Sequence, residues 1–136
     1  MPKSTPELLL GGAAATLLTT GRYPLTQVFQ VEEDLARGDR TFAAHVGPRG
    51  VFRTTLACFA LGLVTALPAA RAVFAPAETV VMAVALLLLI VALAVWARRF
   101  DPAAQIANHD RVLTIGIVTS GSFVALIVRH LWGRVP

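Results

Sequence analysis

The sequence is short of charge and nearly devoid of cysteine. Only 15% of its 136 residues are charged, and Cys58 stands alone. A single thiol supports neither a disulfide framework nor a thiolate metal site. No glycine-rich nucleotide loop occurs, and the phosphatidyltransferase pattern Asp-x-x-Asp-Gly-x-x-Ala-Arg is missing. There is no internal repeat. His45, His109 and His130 are too far apart in sequence to share a metal by spacing. The net charge of +4 does not point to nucleic acid, because the basic residues lie at the ends of apolar runs and form no patch.

What is present is apolar. Hydrophobic residues make up 56% of the chain, well above the share usual in a soluble domain. Thr79 to Ala97 carries no charge and no helix breaker, which is enough chain to cross a bilayer core as a helix. Val112 to Val128 is also uncharged, and Trp132 follows it beyond Arg129 and His130. Val51 to Leu67 is interrupted only by Arg53, which can snorkel to the interface. Leu8 to Thr20 is apolar but too short to span alone. Glu7 directly before it, and the want of a small-residue cleavage site after it, argue against a signal peptide. It reads instead as a helix starting near Pro6 and continuing past Arg22, with Pro24 as a kink whose freed carbonyl a neighbouring helix satisfies. The expected fold is all-α: a polytopic transmembrane helical bundle of three clear spans plus a shorter N-terminal helix, one domain over residues 1–136.

Basic residues set the orientation. Arg37, Arg40, Arg49, Arg98, Arg99 and Arg111 fall in the loops on one side; Lys3, Arg71 and Arg134, with Arg129 nearby, fall on the other. The positive-inside bias puts the charged loops in the cytoplasm and both termini outside. Trp96 and Trp132 are expected as interfacial anchors. Gly11, Gly12, Ala13, Ala14 and Ala15, and later Gly116, Ser120 and Gly121, are the expected packing surfaces, since lipid gives helices no hydrophobic reason to associate.

The chemistry concentrates between Tyr23 and Thr41. Treated as one helix, Tyr23, Gln27, Gln30, Asp34 and Arg37 form a single polar stripe, with Val28, Val31 and Leu35 elsewhere. The stripe is expected to face into the bundle, where polar groups must line a cavity or find partners. Glu32, Glu33 and Asp34 offer hard oxygen ligands of the kind Mg²⁺ prefers. Arg37 and Arg40 offer forked donors to phosphate oxygens, with Gly38 letting the chain turn between them. Such a set suits a metal-bridged diphosphate leaving group. On composition alone the run also reads as a solvated juxtamembrane loop with balancing charges, which is the commoner case.

The order of residues adds a further reading. Asp34-Leu-Ala-Arg-Gly38-Asp-Arg40-Thr41, followed by Gly47, resembles the second aspartate-rich motif of the UbiA-type intramembrane prenyltransferases. In that family a polar, acidic helix end leads to Asp-x-x-x-Gly, a basic residue and Thr, then a short helix ending in Gly. One helix before the motif and three after it match the back part of the family's nine-helix bundle. The resemblance implies a Mg²⁺-dependent transfer of an isoprenoid group from its diphosphate to a hydrophobic acceptor, within membrane lipid. It implies Asp34 as metal ligand with Glu32 and Glu33, Arg37 and Arg40 as diphosphate contacts, and Tyr23, Gln27 and Gln30 along the substrate cavity. Two departures stand out. Gln30 occupies the place of the first Asp of the family's Asp-x-x-x-Asp pair, and the first motif, Asn-x-x-x-Asp-x-x-x-Asp, is absent. The chain is therefore expected to be the C-terminal part of such an enzyme, incomplete without an N-terminal half, or else a non-catalytic scaffold or partner subunit of the same fold. A small transporter using the stripe as a path is a third expectation, opposed by the position of the charges at a helix end.

Overall fold

The computed structural model describes residues 5–132, and within them the chain is helical, with no strand. Lys3 and Arg134, assigned above to the outer side, lie outside the described residues, as does the side chain of His130. Five helices follow one another: α1 (Thr5–Arg22), α2 (Val31–Arg37), α3 (Phe42–Arg71), α4 (Pro76–Arg98) and α5 (Gln105–Trp132), with a 3₁₀ segment, Tyr23–Gln27, between α1 and α2.

Two of them, α3 and α4, are long and apolar enough to cross a membrane. At 23 residues α4 is about 35 Å long, against a hydrocarbon core of roughly 30 Å. It is apolar on every side yet buries only Thr79, Leu86, Leu93 and Trp96, a narrow seam at spacings of seven and three. Val81, Leu88 and Val91 are each more than half exposed. A helix apolar all round and covered on one seam matches a lipid-facing element better than a buried core helix. The helix α5 runs for 28 residues beside it, antiparallel. Trp96 Nε1 donates to Asn108 Oδ1 at one end of the pair, and Arg129 donates to Glu78 at 3.1 Å at the other.

The tightest packing is between α1 and α3, which run antiparallel. A Cβ on Gly21 would lie 2.6 Å from Cys58 Cβ, and one on Gly62 would meet the end of Leu18. Farther along, Gly11 sits opposite Ala69. The close approaches match those expected only in part: Gly11 and the buried Ala14 lie in the crossing, but Gly12 and Gly121 face open space, and Gly116 meets the Arg22 guanidinium. Small residues permit close approach only where the partner helix crosses, and that crossing runs along Gly21, Leu18, Gly11 and Ala14.

The core is built from Leu25, Val28, Val31, Ala43, Val51, Phe52, Phe59, Leu93, Trp96 and Val112. Phe52 packs edge-on against Trp96 and Phe100, with centroids 5.0 and 5.3 Å away. Trp96 is therefore a core residue and not an exposed interfacial anchor: its indole N–H has a buried acceptor, which lets the whole ring be covered. Trp132 is exposed, as an anchor should be.

Candidate functional site

The segment read above as one helix is three pieces. Pro24 has no N–H to continue the α1 ladder, and the chain tightens into the 3₁₀ segment with that proline at its start. The buried Thr55 hydroxyl of α3 donates to Gly21 O at 2.8 Å, satisfying a carbonyl in the turn before the break. After a turn, Gln30 starts α2 from φ −106°, ψ 3°.

That break changes which face is inward. Leu25, Val28 and Val31, spaced by three, are buried, while Tyr23, Gln30 and Arg37 are exposed. The inward polar stripe does not form. A 3₁₀ turn has 3.0 residues, so a stripe phased on 3.6 rotates out of line, and burial of three apolar side chains sets the new phase. Only two of the five polar residues remain turned in. Gln27 is half-buried, with Oε1 lacking a hydrogen-bond partner among the described residues. Asp34 is 3% exposed.

Asp34 organises the joint between α2 and α3. Its Oδ1 accepts from Arg37 Nη2 at 2.9 Å, and its Oδ2 accepts from Thr41 Oγ1 at 2.8 Å. Thr41 in turn caps α3, its Oγ1 accepting from Ala44 N at 3.1 Å. Gly38 closes α2 at φ +76°, where its N–H reaches Leu35 O and the next N–H, of Asp39, reaches Asp34 O. This is a Schellman ending, and the left-handed residue it needs is why glycine stands there. The first stretch of α3 is itself short, since Gly47 breaks it at φ +69°, ψ 171°, and Pro48 begins the next run.

Arg37 is held by three carboxylates: Glu33 at 2.8 Å, Asp34 at 2.9 Å and Asp39 at 3.1 Å. The hydrogen bonds to Asp39 and Asp34 and the charge of Glu33 push its pKa above the ordinary arginine value, so it stays charged. Glu32 and Arg40 are exposed and form no ion pair among the described residues.

These residues do not by themselves fit Mg²⁺. Both oxygens of Asp34 are engaged within the joint, Glu33 is turned to Arg37, and among the described residues no group of three His, Cys, Asp or Glu side chains converges on a point. A divalent ion needs several free hard oxygens at once.

Beside the joint lies an open cleft of about 240 Å³, lined by Phe29, Gln30 and Glu33 on one side and Gln105, Ile106 and His109 on the other. Phe29 meets the edge of His109 at 5.8 Å. The start of α5 therefore faces the acidic turn. Asn108 fixes it there: fully buried, it accepts from Trp96 and donates through Nδ2 to Asp101 O at 2.7 Å. Arg111 stacks over the Trp96 ring at 6.0 Å.

No family model, curated protein or solved structure matches the chain.

Sequence reasoning passed over Asn108 and gave Thr41 no role beyond the pattern. Nothing in the order of residues announces Asn108, whose partners are Trp96 and a loop carbonyl. For Thr41 a signal existed: threonine directly before an Ala-rich helical run is an N-cap.

Proposed function

We propose that the chain is the C-terminal part of a UbiA-type intramembrane prenyltransferase, contributing one of the two acidic motifs of the active site. The observation carrying this reading is the joint itself. The residues that bear the resemblance occupy distinct structural stations: Asp34 on the buried side of the first turn of α2, Gly38 at its left-handed end, Thr41 at the cap and Gly47 at the break. One long helix precedes the joint and three follow it. In this reading α1, α3, α4 and α5 are all membrane-embedded, and the joint and the α4–α5 connection face the cytoplasm. The arginines concentrated at that end support the orientation.

The reaction is transfer of an isoprenoid group from its diphosphate to a hydrophobic acceptor, with Mg²⁺ as cofactor. Because the acidic turn does not fit the ion alone, the second motif must come from a helix outside these 136 residues. Glu32 and Arg40 are the side chains this chain has free for that assembled site, and the open cleft above Glu33 is its nearest concavity.

The test is prenyl transfer in membranes from a radiolabelled isoprenoid diphosphate. The chain is assayed alone and together with the segment encoded directly upstream. Mg²⁺-dependent turnover by the pair, lost in Asp34→Asn and in Arg40→Ala, is the expected result. An upstream frame with neither helices nor an Asn/Asp-rich motif would sink the reading.

A second reading, a non-catalytic subunit of the same fold, is favoured by one observation: Asp34 already spends both oxygens on holding α2 to α3. It expects Asp34→Asn to lower stability and leave any transfer by an assembled complex unchanged.

A further inference from the structure

Arg22 ends α1, and α1 stops well short of the charged end of the bundle. Three contacts set its height. Gly21 lies against Thr55 and Cys58, near the middle of the straight part of α3 that begins at Pro48. From the next position Arg22 Nη1 reaches Ser120 Oγ at 3.4 Å, and Gly116 leaves room for it. Ser120 lies midway between Asn108 and Arg129, the two points that tie α5 to opposite ends of α4, which puts it level with Leu86 in the uncharged centre of that helix.

At that level a membrane is about 15 Å from water on either side. An arginine there needs a partner, and an intramembrane charge without one is costly. Among the described residues Arg22 has the Ser120 hydroxyl and no carboxylate. Neither can a second copy of the chain supply one at that depth. The eight acidic residues are Glu7, Glu32, Glu33, Asp34, Asp39, Glu78, Asp101 and Asp110, all at helix starts or in connections near the two ends. Beside Arg22 the α5 surface is apolar and open, with Ile117 71% exposed and Val118 54%.

We infer that Arg22 is the docking point for a transmembrane helix, outside these 136 residues, that carries an Asp or Glu at mid-membrane depth. A glycine, a hydroxyl and a forked cation on an apolar face form a receptor for one carboxylate among apolar side chains. The inference rests on the membrane placement of α3 and α4 and not on the transferase reading.

The test uses the full chain, dye-labelled, in phosphatidylcholine vesicles at pH 8. Its energy transfer is measured to synthetic Leu/Ala membrane peptides bearing a central Asp, a central Leu, or an Asp one turn from the end. Association about tenfold tighter for the central-Asp peptide is expected, in line with single polar contacts between membrane helices. The preference should vanish in Arg22→Leu and Arg22→Gln and persist in Arg22→Lys. Gln can still reach Ser120, so its loss of preference isolates the charge from a folding defect. Equal association of all three peptides, or a preference that survives Arg22→Gln, overturns the inference. So would Arg22-dependent self-association, or Arg22-dependent stabilisation by benzoate or phosphate without any peptide preference. If carbonate extracts the chain from membranes, the inference and the membrane placement fall together; if prenyl transfer fails while the peptide preference holds, only the transferase reading falls.

Discussion

Thr41 takes part in two interactions through one oxygen. It donates to Asp34 Oδ2 and accepts from Ala44 N, tying the buried carboxylate to the first turn of α3. Thr41→Ala removes a helix cap worth about 1 kcal/mol. It also leaves a buried carboxylate oxygen without its donor, at about 1–3 kcal/mol more. Thr41→Ala should therefore lower the unfolding free energy in detergent by about 2–4 kcal/mol, and Thr41→Ser by much less. Asp39→Ala, which removes one exposed partner of Arg37, should change the same measurement by under about 1 kcal/mol. Gly38→Ala places a Cβ at φ +76°, a conformation costing about 1–2 kcal/mol, although nothing crowds that Cβ. A result near zero would mean that α2 does not end there. These positions were visible in the sequence as a spaced pattern, Asp, Gly, Thr and Gly. What the pattern left open was whether Asp34 looks outward as a ligand or inward as a clasp. A carboxylate's direction depends on which donors surround it, and the donors to Asp34 come from Arg37 at the end of its own helix and from Thr41 at the cap of the next.

Between elements, the α1–α3 contact is graded by what each glycine faces. A Cβ on Gly21 meets the rooted Cβ of Cys58, whereas one on Gly62 meets the movable end of Leu18, and one on Gly11 makes an ordinary contact with Ala69. Thermal denaturation in detergent should rank the alanine variants in that order, with Gly21→Ala costing about 1–3 kcal/mol and Gly11→Ala close to nothing. Only Gly11 of these three belongs to the small-residue clusters that the sequence marks out. A cluster of small residues shows where close packing is permitted, but the crossing point depends on how two whole surfaces fit. Asn108 makes the same point for α4 and α5. Asn108→Leu keeps the branched outline of the side chain and strands the Trp96 N–H and the Asp101 carbonyl, so α5 should loosen first. Faster amide exchange in the first turns of α5, with α1 and α3 unchanged, is the expected signature; uniform loss of protection would contradict it.

For the molecule as a whole, the two apolar helices and the exposed faces of α4 and α5 bear on where it resides. The joint and the α4–α5 connection lie at one end and the α3–α4 turn at the other, as Phe29–His109 and Glu78–Arg129 require. In a Cys58→Ser background, cysteines at Asp39 and Asp101 should react with an impermeant maleimide from the same side of the membrane, and one at Val73 from the other. Labelling of all three from one side would refute the transmembrane arrangement.

Helical class, the apolar stretches of α3 and α4 and the location of the acidic turn came from the sequence by itself, because they follow from local composition: runs without charge, a proline and a glycine. Tertiary structure alone decided the direction of the polar face, the clasping role of Asp34 and the burial of Asn108 and Trp96. Trp96 is covered by Phe52 from another helix. The partners of Asp34 and Asn108 lie within twelve residues of them, yet reach them through the turns that fold the chain back. Hydrogen bonding and burial are settled by how those turns are made, which composition does not fix.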